Sequence, residues 1–149
     1  IRAMLREISE IERIGDSCFN MARTINRKRK GKEDFVEHQY DAIHQMFELT
    51  DDALTQMNSL LTNRREAGDV NRSFNIEKEI NSYRNQLRTE NINAVNNHEY
   101  DYGIGTMFMD LIQECEKLGD YVVNVVEARM GVREPEPEDS MPSKIAMAS

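Results

Sequence analysis

Apolar residues recur every three or four positions through four long stretches of the chain, the spacing of one covered face on an α-helix. Over residues 1–29 the stripe is Met4, Ile11, Ile14, Cys18, Met21 and Ile25. Over 33–66 it is Val36, Tyr40, Ile43, Phe47, Leu54, Met57 and Leu61, with Gly68 expected to close the helix. From Asn71 to Asn97 it is Ile76, Ile80, Tyr83 and Leu87. That stretch is rich in asparagine, a mediocre helix former, so it must depend on tertiary packing. From Tyr100 to Met130 the stripe is Phe108, Leu111, Cys115, Leu118, Val122 and Val125. No segment alternates with a period of two over a useful length, which argues against a sheet. Short loops between long helices predict an all-α, antiparallel helical bundle of about four long helices. At roughly 1.5 Å per residue the longer ones span about 40–50 Å, giving an elongated rod.

The punctuation agrees with this reading. The first helix runs into RKRKGK, residues 27–32, where cations complement the negative end of the helix dipole and Gly31 offers a stop. After Gly131 the chain holds three prolines and little to bury. Residues 132–149 are therefore expected to be a disordered tail behind a folded unit at 1–131.

Composition narrows the function. The 149 residues are 39% hydrophobic and 31% charged, with a net charge of −8. An acidic chain is poorly suited to nonspecific nucleic-acid binding and well suited to cations. The two cysteines, Cys18 and Cys115, give no disulfide framework, so a reducing compartment is expected. Both lie on apolar stripes and are expected to be buried, inert thiols. No apolar run approaches the ~20 residues that span a bilayer, and no signal peptide is visible. Ile1 sits inside a helical pattern, so the chain reads as part of something longer.

One phrase occurs twice. EIERIGDSCFNMAR at residues 10–23 returns as ECEKLGDYVVNVVE at 114–127, a shift of 104. Glu10, Glu12, Gly15, Asp16 and Asn20 match Glu114, Glu116, Gly119, Asp120 and Asn124, while Arg13 pairs with Lys117 and Ile14 with Leu118. Generic amphipathicity would have matched apolar residues; every identity here is polar or glycine. An internal structural repeat explains them. Glycine inside a helix costs about 1 kcal/mol relative to alanine. At the edge of a packing face, a missing side chain lets another helix come close. At about 100° per residue, Glu12, Asp16 and Asn20 step round the opposite side, as do Glu116, Asp120 and Asn124. Each trio is expected to form an outward ladder of oxygen ligands, in which carboxylates one turn apart share a hard cation and asparagine adds a neutral oxygen.

The pattern Glu-x-x-(Ile/Leu)-Gly-Asp-x-x-x-Asn resembles the signature of the PhoU family of phosphate-uptake regulators. The resemblance implies a fold of two three-helix repeats, each carrying the motif on its last helix. Residues 1–30 then look like the last helix of a first repeat, and 33–131 like a complete second repeat. IEKEINSYRNQLR, residues 76–88, resembles the family's middle helix more loosely, with Asn81 where an acid is often found. The resemblance implies metal sites at Glu12, Asp16 and Asn20 and at Glu116, Asp120 and Asn124, holding a divalent or trivalent ion such as iron, zinc, nickel or magnesium, with no organic cofactor. It implies a regulator of phosphate transport and not an enzyme. Related domains lie at the cytoplasmic, C-terminal end of bacterial sodium/phosphate cotransporters. That context is preferred here, with the transmembrane part of the transporter, or a phosphate-signalling protein, as partner on the cytoplasmic side of the membrane. A free-standing, N-terminally truncated regulator is the close competitor, and a metal-free helical interaction scaffold is the alternative class. Homodimerisation is compatible with either.

Three further signals have bland explanations. Glu37, Asp41, His44 and Glu48 share a face, but a di-iron enzyme needs two Glu-x-x-His motifs facing inward, and only one partial copy exists. His38 and His98 are isolated, as suits surface or loop positions. Arg27–Lys32 either lies against an anionic membrane beside a transporter or is a solvated helix end.

Overall fold

The computed structural model describes residues 1–62 and 67–131, with side chains excepted at 67–69. It is an all-α bundle of four helices: α1 (Arg2–Lys30), α2 (Glu37–Thr62), α3 (Ala67–Asn96) and α4 (Tyr102–Met130). The helix count and type are those the apolar spacing predicts. Gly68 does not close α2 as expected; it lies in the first turn of α3. The expected tail at 132–149 lies outside the described residues.

The helix ends follow local chemistry. Arg27, Lys28, Arg29 and Lys30 occupy the last turn of α1, set against the dipole's negative end. Gly131 ends α4 in the left-handed region (φ 67°), and its N–H donates to the Glu127 carbonyl at 2.9 Å. Only glycine adopts that backbone without strain.

Helix α4 is central. It packs against α1, α2 and α3, whereas the backbone of α1 lies beside α4 alone among the described residues. Its core-facing residues, including Phe108, Leu111, Ile112, Cys115, Leu118, Val122, Val125 and Val126, are almost wholly buried. They meet Met46, Ala53 and Met57 from α2 and Phe74, Ile80 and Leu87 from α3 in one core. At Gly119 a Cβ would stand 3.3 Å from Ile80 Cδ1. The glycine therefore does admit a neighbouring helix, as its place in the repeated phrase predicts. At the other end Gly105 admits Val95 and Tyr100 still more closely.

Helix α1 departs from expectation. Its seam with α4 buries Glu10, Ile14, Ser17 and Thr24. The predicted apolar stripe is split: Ile14 and Met21 pack against the core, whereas Met4 is 61% exposed and Ile11 42%, with Cys18 and Ile25 also exposed. Cys18 is thus no buried thiol. Leu5, Ile8 and Phe19 are exposed too. Amphipathicity marks which face suits burial; it does not say whether anything in the chain covers that face.

Candidate functional site in the repeated helices

The two copies of the phrase pack on each other. Asn124 Nδ2 donates to Glu10 Oε2 at 3.2 Å, and Asn20 Nδ2 donates to Glu114 Oε1 at 3.4 Å. Under the shift of 104, Glu10 is equivalent to Glu114 and Asn20 to Asn124. Residue i of one copy therefore meets residue j of the other, and j meets i, the reciprocity of a local two-fold. Within each copy the glutamate also holds a cation three residues on. Arg13 lies 2.8 Å from Glu10, and Lys117 lies 3.5 Å from Glu114. Ion pairs at the two ends, Arg6 with Glu127 at 3.4 Å and Arg27 with Asp110 at 2.8 Å, run the helices antiparallel.

The repeat relates the outer face of α1 to the core. Met4, Leu5, Ile8, Ile11 and Phe19 are exposed, and their equivalents in α4 are Phe108, Met109, Ile112, Cys115 and Val123, all buried against α2 and α3. Gly15, equivalent to Gly119, has nothing within 4 Å of where a Cβ would stand. Both copies thus present one kind of face, and α2 and α3 cover only the second.

The expected ligand ladders divide. Glu12 and Asp16 are exposed, as an outward ladder requires. Glu116, Asp120 and Asn124 are not outward; all three are half-buried, because α4 is flanked on three sides and α1 the more open. Asn20 and Asn124 turn into the α1–α4 seam and spend their amide nitrogens on Glu114 and Glu10. On the α3 side, Arg84 Nη2 lies 3.7 Å from Glu116 Oε1. Asn81 Nδ2 donates to Glu77. Desolvation, with Asp120 beside it, holds the Glu116 carboxyl above the usual glutamate range, and Arg84 and Lys117 offset this only partly. Among the described residues, the buried oxygens without a hydrogen-bond partner include Asn81 Oδ1 and Glu114 Oε2, with Ser73 Oγ on α3 a third. Sequence reasoning missed the roles of Glu10, Glu114 and Arg84. Glu10 and Glu114 were among the repeat identities, and only assuming an outward ladder hid their place in the seam.

Other side chains fall as surface chemistry dictates. Glu37, Asp41, His44 and Glu48 are all exposed, which removes the inward cluster a di-iron centre needs. His38 faces Glu99 at 3.5 Å, and His98 has a positive φ of 58° at the α3–α4 turn. Among the described residues, no three acid, histidine or cysteine side chains converge closely enough to hold a metal ion. No described helix is long and apolar enough to cross a membrane. The family described as the PhoU domain matches residues 43–128, more than half of the chain. No curated protein and no solved structure matches it.

Proposed function

The chain belongs to the PhoU domain family, whose function class is regulation of phosphate transport, and from that premise we propose that it is the regulatory domain of a sodium-dependent phosphate cotransporter. Its place would be the cytoplasmic side of the membrane, and it would act by contact with the transmembrane part. The observation that carries a contact role is the open N-terminal face of α1: Met4, Leu5, Ile8 and Ile11 lie exposed at positions equivalent to buried ones in α4. On this reading α1 is the closing helix of a first repeat, residues 33–131 are the second, and a helix pair of the α2–α3 kind covers α1 from Met4 to Gly15, leaving Phe19 and the basic turns beyond it open. An exposed apolar patch of this extent is the mark of an interaction surface.

Uptake of labelled phosphate by cells expressing the chain, measured in sodium and in choline medium, tests the transporter assignment. A change confined to the sodium-dependent component supports it. An equal change in both media favours the free-standing regulator, and no change in either sinks the regulatory reading.

Metal binding belongs to the same proposal. Glu116 and Asp120 are adjacent, half-buried carboxylates. On facing α3, the unpartnered oxygen of Asn81 lies between Ile80, which rests on Gly119, and Arg84, which reaches Glu116. Carboxylates and an amide oxygen are the donor types a hard cation takes, and an ion bound there would relieve the like-charge repulsion and hold α3 to α4. Glu12 and Asp16 offer a second, exposed pair. Arg84 supplies the local positive charge otherwise. Melting with iron, zinc, nickel or magnesium tests this: an ion at about 100 times its Kd adds about 2.7 kcal/mol, and Asp120→Ala removes the gain. Unchanged melting with every ion leaves the metal-free scaffold.

A further inference from the structure

The positive charge of this acidic protein is concentrated in one place. Residues 17–32 hold six lysines and arginines and no acid, so they carry +6 in a chain of net −8 and leave −14 on the remainder. Lys28 is engaged with Asp34 and Tyr40 at the turn into α2. Arg23, Arg27 and Lys30 recur at four- and three-residue steps, on the side of α1 that also carries Phe19. They border a groove of about 540 Å³ between α1 and α4, completed by Lys117, Asp110 and Glu114. Arg27 is paired with Asp110 and Lys117 with Glu114. Arg23 and Lys30 have no ion-pair partner among the described residues, and Arg23 lies over the Phe19 ring at 5.9 Å. Phe19 is 64% exposed.

From these features we infer that the C-terminal half of α1 docks on an anionic bilayer surface, with lipid phosphates at Arg23, Arg27 and Lys30 and Phe19 entering the interface. The charge distribution selects this occupant. An anionic membrane attracts clustered basic residues at about 1 kcal/mol each near its surface, and an exposed aromatic beside them is the anchor such binding uses. The strongly negative remainder is repelled, so only this face settles on the bilayer. A free phosphate would use the cations and have no use for an exposed phenylalanine. The inference stands on charge and exposure and does not depend on the transporter assignment.

Sedimentation with vesicles of phosphatidylcholine, alone or with about 30% phosphatidylglycerol, tests it. The chain is expected to bind only the anionic vesicles and to come off at about 0.5 M salt, where the screening length falls to a few ångströms. Arg23→Ala with Lys30→Ala is expected to weaken binding about 25-fold, about fivefold per cation removed, with melting little changed because both are exposed and outside the ion pairs of the described residues. Arg72→Ala, which removes an exposed cation of α3, is expected to bind as the parent does. Equal binding to both vesicles, no binding to either, or an unaffected double variant would overturn the inference. Displacement by inorganic phosphate beyond that of chloride at matched ionic strength would also overturn it, in favour of a soluble anion.

Discussion

Gly15 and Gly119 occupy the same place in the two copies, yet alanine should act differently at each. Gly→Ala in a helix interior gains about 1 kcal/mol. At position 15 nothing lies within 4 Å of the new Cβ, so the whole gain should appear, raising Tm by about 2–4 °C for a chain of this size. At position 119 the Cβ would stand 3.3 Å from Ile80 Cδ1 and 3.7 Å from its Cγ2. The first distance is short of the roughly 3.5–4.0 Å optimum for carbon pairs. Ile80 is fully buried, so its tip has little room to move, and overpacking of this kind costs about 1–3 kcal/mol. Gly119→Ala should therefore be neutral or destabilising. Ile80→Val removes the Cδ1 atom at a cost of about 0.5–1.5 kcal/mol. In that background Gly119→Ala should recover its gain, a coupling of about 1 kcal/mol or more. Urea and thermal denaturation followed by circular dichroism give all four corners of the cycle. Equal effects at the two glycines would refute the reasoning, as would the absence of coupling to Ile80. A loss at Gly15 would mean that its face is covered in solution.

Three other outcomes follow from the same geometry. Gly105→Ala should destabilise by about 1–3 kcal/mol despite its propensity gain, because its Cβ would come within 2.9 Å of Val95 and 3.3 Å of Tyr100; chemical denaturation reads this directly. Cys18 should react with a thiol reagent in the native state, whereas Cys115, fully buried with its thiol pushed up to about 11, should react only on unfolding, so Cys18→Ser should abolish native labelling. Because the Glu116 carboxyl is held above its ordinary range by burial and Asp120, its charged form disfavours the metal-free fold; that penalty is absent below the ordinary glutamate range and present above the raised one. Glu116→Gln should therefore raise Tm most at neutral pH, with the difference from wild type shrinking as pH falls through the carboxylate range, and a difference independent of pH would contradict this.

The helices and the repeat were legible because both are written in local periodicity and in polar identities that packing alone does not demand. Gly119 against Ile80 follows from the position of glycine at the edge of a stripe. Two things were not legible. One was which side of α1 meets α4: Glu10, Ser17 and Thr24 are poor core residues by type, and they are buried because Glu10 finds Arg13 and Asn124 in the seam. The other was the environment of Glu116 and Asp120. A helix pattern gives an outward side, but α4 has neighbours on three sides, so its polar side is a seam as well. Cys18 was misjudged for the first reason, since its stripe is split and only Ile14 and Met21 of it turn toward α4.

The account rests on two copies of one helical unit packed reciprocally through Glu10–Asn124 and Glu114–Asn20. Double-mutant cycles on both pairs, each side chain replaced by alanine, measure this most directly. The account predicts favourable coupling of similar size in both, about 0.5–3 kcal/mol. Coupling in only one pair, or in neither, would contradict it.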